Sequence, residues 1–264
     1  MFRTVVNCIE NGRSPLLFTA IEGEHLGETA VLDGETEFGC EAIVSPIPDG
    51  EQLPCVRDGV LTERIITPPH LILCGGGHVS VYTAKVAKMV GFRVTVIDNR
   101  TDYANCDRFP DADAIINQPF TEALRSIRDP NAYYVIVTRG HLADRECLET
   151  VLKMHFVYCG MIGSRGKTRL VFDKMREEGY SDEALAAVHA PIGLPIGANT
   201  PEEIAVCIVG EMIQVKNSAV RGCEWDERLC DAIQTLSEPY AMVTLIRKSG
   251  SAPRSMARRT FSVR

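Results

Sequence analysis

The stretch from Leu71 to Arg100 limits what this chain can fold into more than any other. Leu71-Ile72-Leu73-Cys74 is an unbroken apolar run, the pattern of a strand covered on both faces. Gly75-Gly76-Gly77 follows at once, where no side chain obstructs a tight turn or the close approach of a ligand. From His78 the apolar positions take helical spacing through Val79, Tyr82, Val86, Met89 and Val90, and Gly91 stops the helix. Arg93 to Ile97 reads as a second strand that ends on Asp98. Strand, glycine turn, helix and strand of these lengths make the first half of a Rossmann unit. Such a turn aims backbone N–H groups and a helix N-terminus at an anion. The third glycine position of the fingerprint falls on Ser80, which is small enough for close helix–strand packing. Asp98 comes 23 residues after Gly75, where a ribose-binding carboxylate belongs. A tight turn with no ligand is the plainer alternative.

The alternation continues beyond Asp98. Strands are predicted at Ala112–Ile116, Tyr133–Val137 and Phe156–Cys159, with helices at Glu122–Ile127, at Asp144–Met154 and after Ser164. Two more helices follow, at Asp182–Val188 and Pro201–Lys216, the second opened by a capping box from Thr200 to Glu203. The expected fold class is α/β, a Rossmann-like parallel sheet with helices on both faces, joined to a small β-rich N-terminal module. That module occupies residues 1–67, with strands at Leu16–Ile21, Thr29–Leu32 and Ala42–Val44 and a hairpin signal at Asp33-Gly34. The Rossmann-like domain takes 68–217, and a helix with a basic tail takes 218–264.

In a parallel sheet of this kind the ligand crevice lies beyond the carboxyl ends of the strands. The residues that follow each strand therefore define the candidate site. They are Gly75, Gly76, Gly77 and His78 after the first, then Asp98 and Arg100 after the second. Thr138, Arg139, Gly140 and His141 follow the fourth, and Gly163, Ser164, Arg165 and Lys167 the fifth. The turn at Gly163 to Arg165 is either a second anion site or a solvated basic helix start. His78, His141 and His189 are metal or acid–base candidates, or plain hydrogen-bonding loop residues, since no H-x-x-H spacing is present. Asp144 is read as a helix cap and the loop from His189 to Asn199 as a wall over the crevice or a connector. The opposite edge, with Arg128-Asp129-Pro130-Asn131, looks like plain turns.

Composition then excludes some partners. The net charge of −7 argues against nucleic acid, and six Lys or Arg without an acid after residue 240 leave −13 on the rest. No apolar stretch is long enough to span a bilayer and the start has no secretory pattern, so a cytoplasmic protein without membrane contact is expected. Ten cysteines, none spaced C-x-x-C, read as buried thiols.

Gly75-Gly76-Gly77-His78-Val79, Asp98-Asn99-Arg100, Thr138-Arg139-Gly140-His141, Met161-Ile162-Gly163-Ser164-Arg165 and the segment from His189 to Ala205 together resemble the xanthine dehydrogenase accessory protein family, of the XdhC/CoxI type. They occur in family order across residues 68 to 217. The resemblance implies a cofactor-insertion chaperone rather than a catalyst. It would bind molybdenum cofactor (molybdopterin) or its nucleotide form and deliver it to a molybdenum hydroxylase apo-enzyme, with a sulfurase as a further partner. Phe38-Gly39-Cys40-Glu41-Ala42 resembles the family's Gly-Cys-Gly-Gly segment with both later glycines lost, which makes Cys40 a candidate for sulfur or molybdenum contact. Ser249-Gly250-Ser251-Ala252-Pro253-Arg254 resembles the opening motif of the family's small domain. The tail at 237–264 is expected to add strands to the N-terminal module, within one chain or across a homodimer.

Two rival readings stand beside this one. An NAD(P)-dependent oxidoreductase would use the same glycine turn and Asp98, although Tyr82 and Lys85 are one residue too close for a Tyr-x-x-x-Lys pair. A scaffold with a vestigial nucleotide pocket would act through protein contacts alone.

Overall fold

The computed structural model describes residues 1–11, 13–34, 36–48, 51, 53–129, 131–218, 222–225, 227–235, 240–244 and 259–263. The chain divides into two compact units, Met1–Pro68 with Val220–Arg264, and Pro69–Ala219. The last segment therefore belongs to the same unit as the first.

The first unit opens on helix α1 (Phe2–Glu10), which sequence reading missed although Phe2, Val5, Val6 and Ile9 keep helical spacing. Strands β1 (Leu16–Ala20), β2 (Thr29–Asp33), β3 (Thr36–Gly39), β4 (Cys55–Arg57) and β5 (Val60–Ile66) then build an antiparallel sheet. Ala42–Val44 is not a strand. Glu41–Ile43 makes a single 3-10 turn that inserts Ile43 into the core while Glu41 and Ala42 stay exposed.

The second unit is a six-stranded parallel sheet. Its elements are β6 (His70–Cys74), α2 (His78–Met89), β7 (Arg93–Ile97), β8 (Ala114–Ile116), α3 (Phe120–Ser126), β9 (Ala132–Ile136), α4 (His141–Val151), β10 (Tyr158–Met161), α5 (Arg165–Glu177), α6 (Asp182–Ala186), β11 (Val188–His189) and α7 (Pro201–Ser218). The spatial order β8-β7-β6-β9-β10-β11 is the 3-2-1-4-5-6 arrangement of a Rossmann sheet. Alternate residues of each strand serve opposite faces. Ile72, Cys74, Tyr134 and Ile136 pack on α3 to α6, whereas Leu71, Leu73, Tyr133 and Val135 pack on α2 and α7. Both faces are covered, which is why these strands carry unbroken apolar runs rather than alternation.

Predicted boundaries move by a few residues. Helix α4 starts at His141 rather than Asp144, and β10 runs through Gly160 and Met161. The capping box of α7 is present: Glu203 N donates to Thr200 Oγ1 at 3.3 Å and Thr200 N donates to Glu203 Oε2 at 3.2 Å.

The chain then returns to the first unit. Strand β12 (Cys223–Glu224) adds parallel to β5, and α8 (Glu227–Thr235) follows. Val5, Leu17, Ile65, Trp225 and Ile233 form one core face of this unit, and Phe18, Ala20, Ala30 and Ile43 the other. The tail strands β13 (Tyr240–Thr244) and β14 (Arg259–Val263) pair with each other, and among the described residues neither joins the N-terminal sheet of its own chain. The Ser249–Arg254 motif lies outside the described residues. Among the described residues no helix is long and apolar enough to cross a membrane.

Candidate functional site

The strand order reverses between β6 and β9, so the loops after these two strands flank the switch point where open α/β sheets bind ligands. Gly75 has φ +115°, and a Cβ there would lie 2.4 Å from the Val137 carbonyl oxygen. A Cβ on Gly76 would lie 2.3 Å from the Tyr103 carbonyl oxygen. These two glycines let backbone segments close on each other. Gly77 differs, because a Cβ there would meet nothing within 4 Å. The first two glycines answer to packing and the third to open space.

Gly77 is also the N-cap of α2, and having no side chain it leaves the N–H groups of the first turn without a cap from that position. Ser80 replaces the third glycine at no cost in packing. It is fully buried, and its hydroxyl donates to Gly75 O at 2.5 Å, bracing the turn it follows.

Asp98, which the sequence spacing places toward a ligand hydroxyl, has its carboxylate engaged by donors of the protein itself. It is fully buried and accepts from Gly76 N at 2.9 Å and Arg100 N at 3.0 Å. Arg100 closes the pair with Nε at 2.8 Å and Nη2 at 2.7 Å, one on each oxygen. Burial alone would raise the Asp98 pKa. The Arg100 hydrogen bonds, helped by the N–H groups of Gly76 and Arg100, outweigh that and hold it below the ordinary carboxylate value. A buried carboxylate stripped of its partner destabilises by about 3–5 kcal/mol, so Asp98 and Arg100 act as a clamp on the glycine turn.

Arg100 in turn lies 3.7 Å from the Tyr103 ring centroid, and Arg108 donates to Gly76 O at 3.0 Å. Tyr103 and Arg108 were not singled out from sequence. Both sit in an irregular segment between β7 and β8, with no periodicity to flag them.

The loop after β9 meets the glycine turn directly, since the Gly75 Cβ position is 3.2 Å from Thr138 Cα. Thr138 donates through Oγ1 to Asp144 Oδ1 at 2.6 Å and through its N–H at 3.2 Å. Asp144 is therefore a brace for this loop from within the first turn of α4, whose own N-cap is Gly140. Its other oxygen, Oδ2, faces Lys167 Nζ at 3.4 Å, within ion-pair range but without a directed hydrogen bond. Lys167 N in turn donates to the N-cap Ser164 Oγ at 3.3 Å.

A continuous chain of contacts thus runs from Gly75 through Thr138, Asp144 and Lys167 to Ser164. It brings three of the four predicted loops together along one edge, and Asp98 joins them through Gly76 N. Thr168 beside Gly163 is buried, and its Oγ1 has no hydrogen-bond partner. His78, Arg139, His141 and Arg165 are exposed on the same edge.

His189 takes a different place. Its ring lies 4.6 Å from that of Tyr158, and Nδ1 is 3.3 Å from Glu211 Oε1. Glu211 Oε2 accepts from Tyr158 OH at 2.6 Å and Gly193 N at 3.0 Å, and this fixes the start of the 189–199 loop over β10. Burial, followed by the Glu211 hydrogen bond, pushes the Tyr158 hydroxyl far above its ordinary value, so it stays a donor. His78, His141 and His189 form no metal-ligand cluster among the described residues.

The profile of the XdhC Rossmann domain matches residues 71–212, more than half of the chain. The protein belongs to the XdhC family. An uncharacterized protein of Escherichia coli K12, YqeB, is 35% identical over 156 residues, covering 58% of this chain and 28% of that protein. A Bacillus subtilis 168 protein described as a probable xanthine dehydrogenase subunit is 33% identical over 156 residues, covering 58% of this chain and 45% of that protein. The matched stretch therefore spans less than half the length of either relative. A crystal structure of a xanthine dehydrogenase from Bacillus halodurans is similar at TM-score 0.64 and 26% identity, covering 81% of this chain and 63% of that one.

Proposed function

We propose that the switch-point edge binds the phosphate of molybdenum cofactor, or of its nucleotide form, and that this XdhC protein passes the cofactor to the apo form of a xanthine dehydrogenase-type molybdenum hydroxylase. One observation carries the reading: the space in front of Gly77 is open where α2 and α4, both with glycine N-caps, begin at the carboxyl ends of the paired strands β6 and β9, one on each face of the sheet. The residues fit such a ligand in two ways. Uncapped helix N-termini suit a phosphate, and Asp144 Oδ2, ion-paired to Lys167 but without a hydrogen bond, and Thr168 Oγ1 suit the polar edge of a pterin or purine ring. His78, Arg139, His141 and Arg165 would add charge and hydrogen bonds around an anionic ligand. Asp98 acts through Gly76 as a positioning residue.

The cofactor is cargo on this reading. Its molybdenum chemistry belongs to the client enzyme, while this chain holds it, shields it and releases it. Such a chaperone would work in the cytoplasm. The inward-facing Asp98 favours this reading over a dinucleotide oxidoreductase, whose ribose needs that carboxylate.

Isothermal titration of the full chain with released molybdenum cofactor and, separately, with NADH tests it. The expected result is saturable binding of the cofactor and none of NADH at equal concentration. Cofactor affinity no better than that of an unrelated Rossmann protein, or tighter binding of NADH, overturns it.

A further inference from the structure

The first unit holds a cluster that the cofactor reading does not use. The turn between β1 and β2 places His25 and Glu28 three residues apart, with His25 Nδ1 3.0 Å from Glu28 Oε2. The end of β3 brings Cys40 to them, its Sγ 3.9 Å from His25 Nδ1. The three donor atoms all lie within 4.8 Å of one another.

Two glycines produce this convergence. Gly27 has φ +89° and returns its N–H to Ala20 O at 2.9 Å, which closes the turn so that His25 and Glu28 share a side. Gly39 has φ +99°, and a Cβ there would lie 2.4 Å from Thr29 O. Only a glycine lets β3 approach β2 so closely, and Cys40 N then donates to Thr29 O at 3.2 Å. The thiol is thereby seated beside Glu28, its Sγ within 4.8 Å of a carboxylate oxygen.

A thiolate, an imidazole nitrogen and a carboxylate oxygen form the borderline-soft donor set that Zn²⁺ prefers. Metal–ligand bonds of about 2.0–2.3 Å at tetrahedral angles separate donors by roughly 3.3–3.6 Å. The His25–Glu28 and His25–Cys40 separations straddle that range, so small side-chain rotations would complete the geometry. All three residues are at least partly exposed, so an ion has a path in. We propose that His25, Glu28 and Cys40 form a binding site for a divalent transition-metal cation of the Zn²⁺ type. Three protein ligands leave a fourth coordination position for water or an exchangeable ligand. The ion would tie the β1–β2 turn to the end of β3. Cys40 loses its proton to solvent as the metal–sulfur bond forms, with no change of oxidation state. This proposal does not rest on the cofactor reading.

Titration of the chelator-treated full chain with Co²⁺, followed by absorbance, tests the proposal. The expected result is one ion per chain with a thiolate-to-metal charge-transfer band that Zn²⁺ displaces. Cys40→Ser should abolish the band, and His25→Ala should weaken binding at least tenfold. Cys106→Ser, which removes an exposed thiol, should change neither. Far-UV circular dichroism confirms that each variant folds, which is expected because all three positions lie at the surface. Retention of the band in Cys40→Ser, its loss in Cys106→Ser, or unchanged affinity in His25→Ala each overturns the proposal.

Discussion

Asp98 and Asp129 stand at opposite edges of the same parallel sheet, Asp98 fully buried, Asp129 with its side chain 7% exposed, and each is paired with an arginine. At the amino edge, Asp129 accepts from His70 Nδ1 at 2.9 Å, from Asn131 N at 2.8 Å and from the Arg93 guanidinium. The other His70 nitrogen meets Thr95 Oγ1 at 2.7 Å, so each polar atom of that ring is engaged. At the carboxyl edge the Asp98 clamp is just as complete, yet around it Gly77 faces open space and Asp144 Oδ2 and Thr168 Oγ1 lack hydrogen-bond partners. Orphaned buried polar atoms are costly, and they cluster where a ligand can satisfy them. The amino edge is built for stability, and the carboxyl edge gives up part of that stability to keep a place open.

If this contrast is right, Asp129→Ala should be the most damaging change. Breaking a largely buried pair at the amino edge should lower the free energy of unfolding by about 3 kcal/mol in urea denaturation while leaving cofactor affinity alone. The Asp129 pKa is raised by burial but more strongly depressed by His70, Asn131 N and Arg93, so it lies below the unfolded value. The sign follows from that depression. Its stabilising contribution is complete above about pH 4 and disappears as the pH falls through the lower folded-state value. An acid unfolding curve should therefore flatten below about pH 4 in the alanine variant, and an unchanged curve would count against the pair.

Gly77→Ala should behave in the opposite way. Nothing crowds that position and its φ of −68° suits alanine, so stability should shift by less than about 0.5 kcal/mol. A methyl in front of the α2 N-terminus should nevertheless weaken cofactor binding at least tenfold, about 1.4 kcal/mol, by calorimetry. Equal losses of stability and affinity in either variant would erase the distinction between the edges. The smallest effect is expected for Thr200→Ala, about 1 kcal/mol of stability from a lost cap on α7, read as a shifted urea midpoint.

The glycine turn was legible because its signal is local: an apolar run, three glycines and a change of period lie within thirty residues. The position of Asp98 was legible too, but its direction was not. That depends on Arg100 and on Gly76 N, and a carboxylate at the right spacing can face either way. The amino-edge loop reads as plain turns in the sequence because Asp129 and His70 are 59 residues apart and no local pattern joins them. Glu211 escaped for the same reason, since it meets Tyr158 across 53 residues.

What the amino-acid order alone determined is the alternation of strand and helix, the tight turn after β6 and the capped start of α7. Backbone preference and the burial period act over a few residues, so these features can be read without coordinates. Only the tertiary structure decided which carboxylates face inward, which glycine faces open space, and that His25, Glu28 and Cys40 meet. Those outcomes depend on side chains brought together from distant elements, where a rotation of one bond exchanges a protein partner for a ligand.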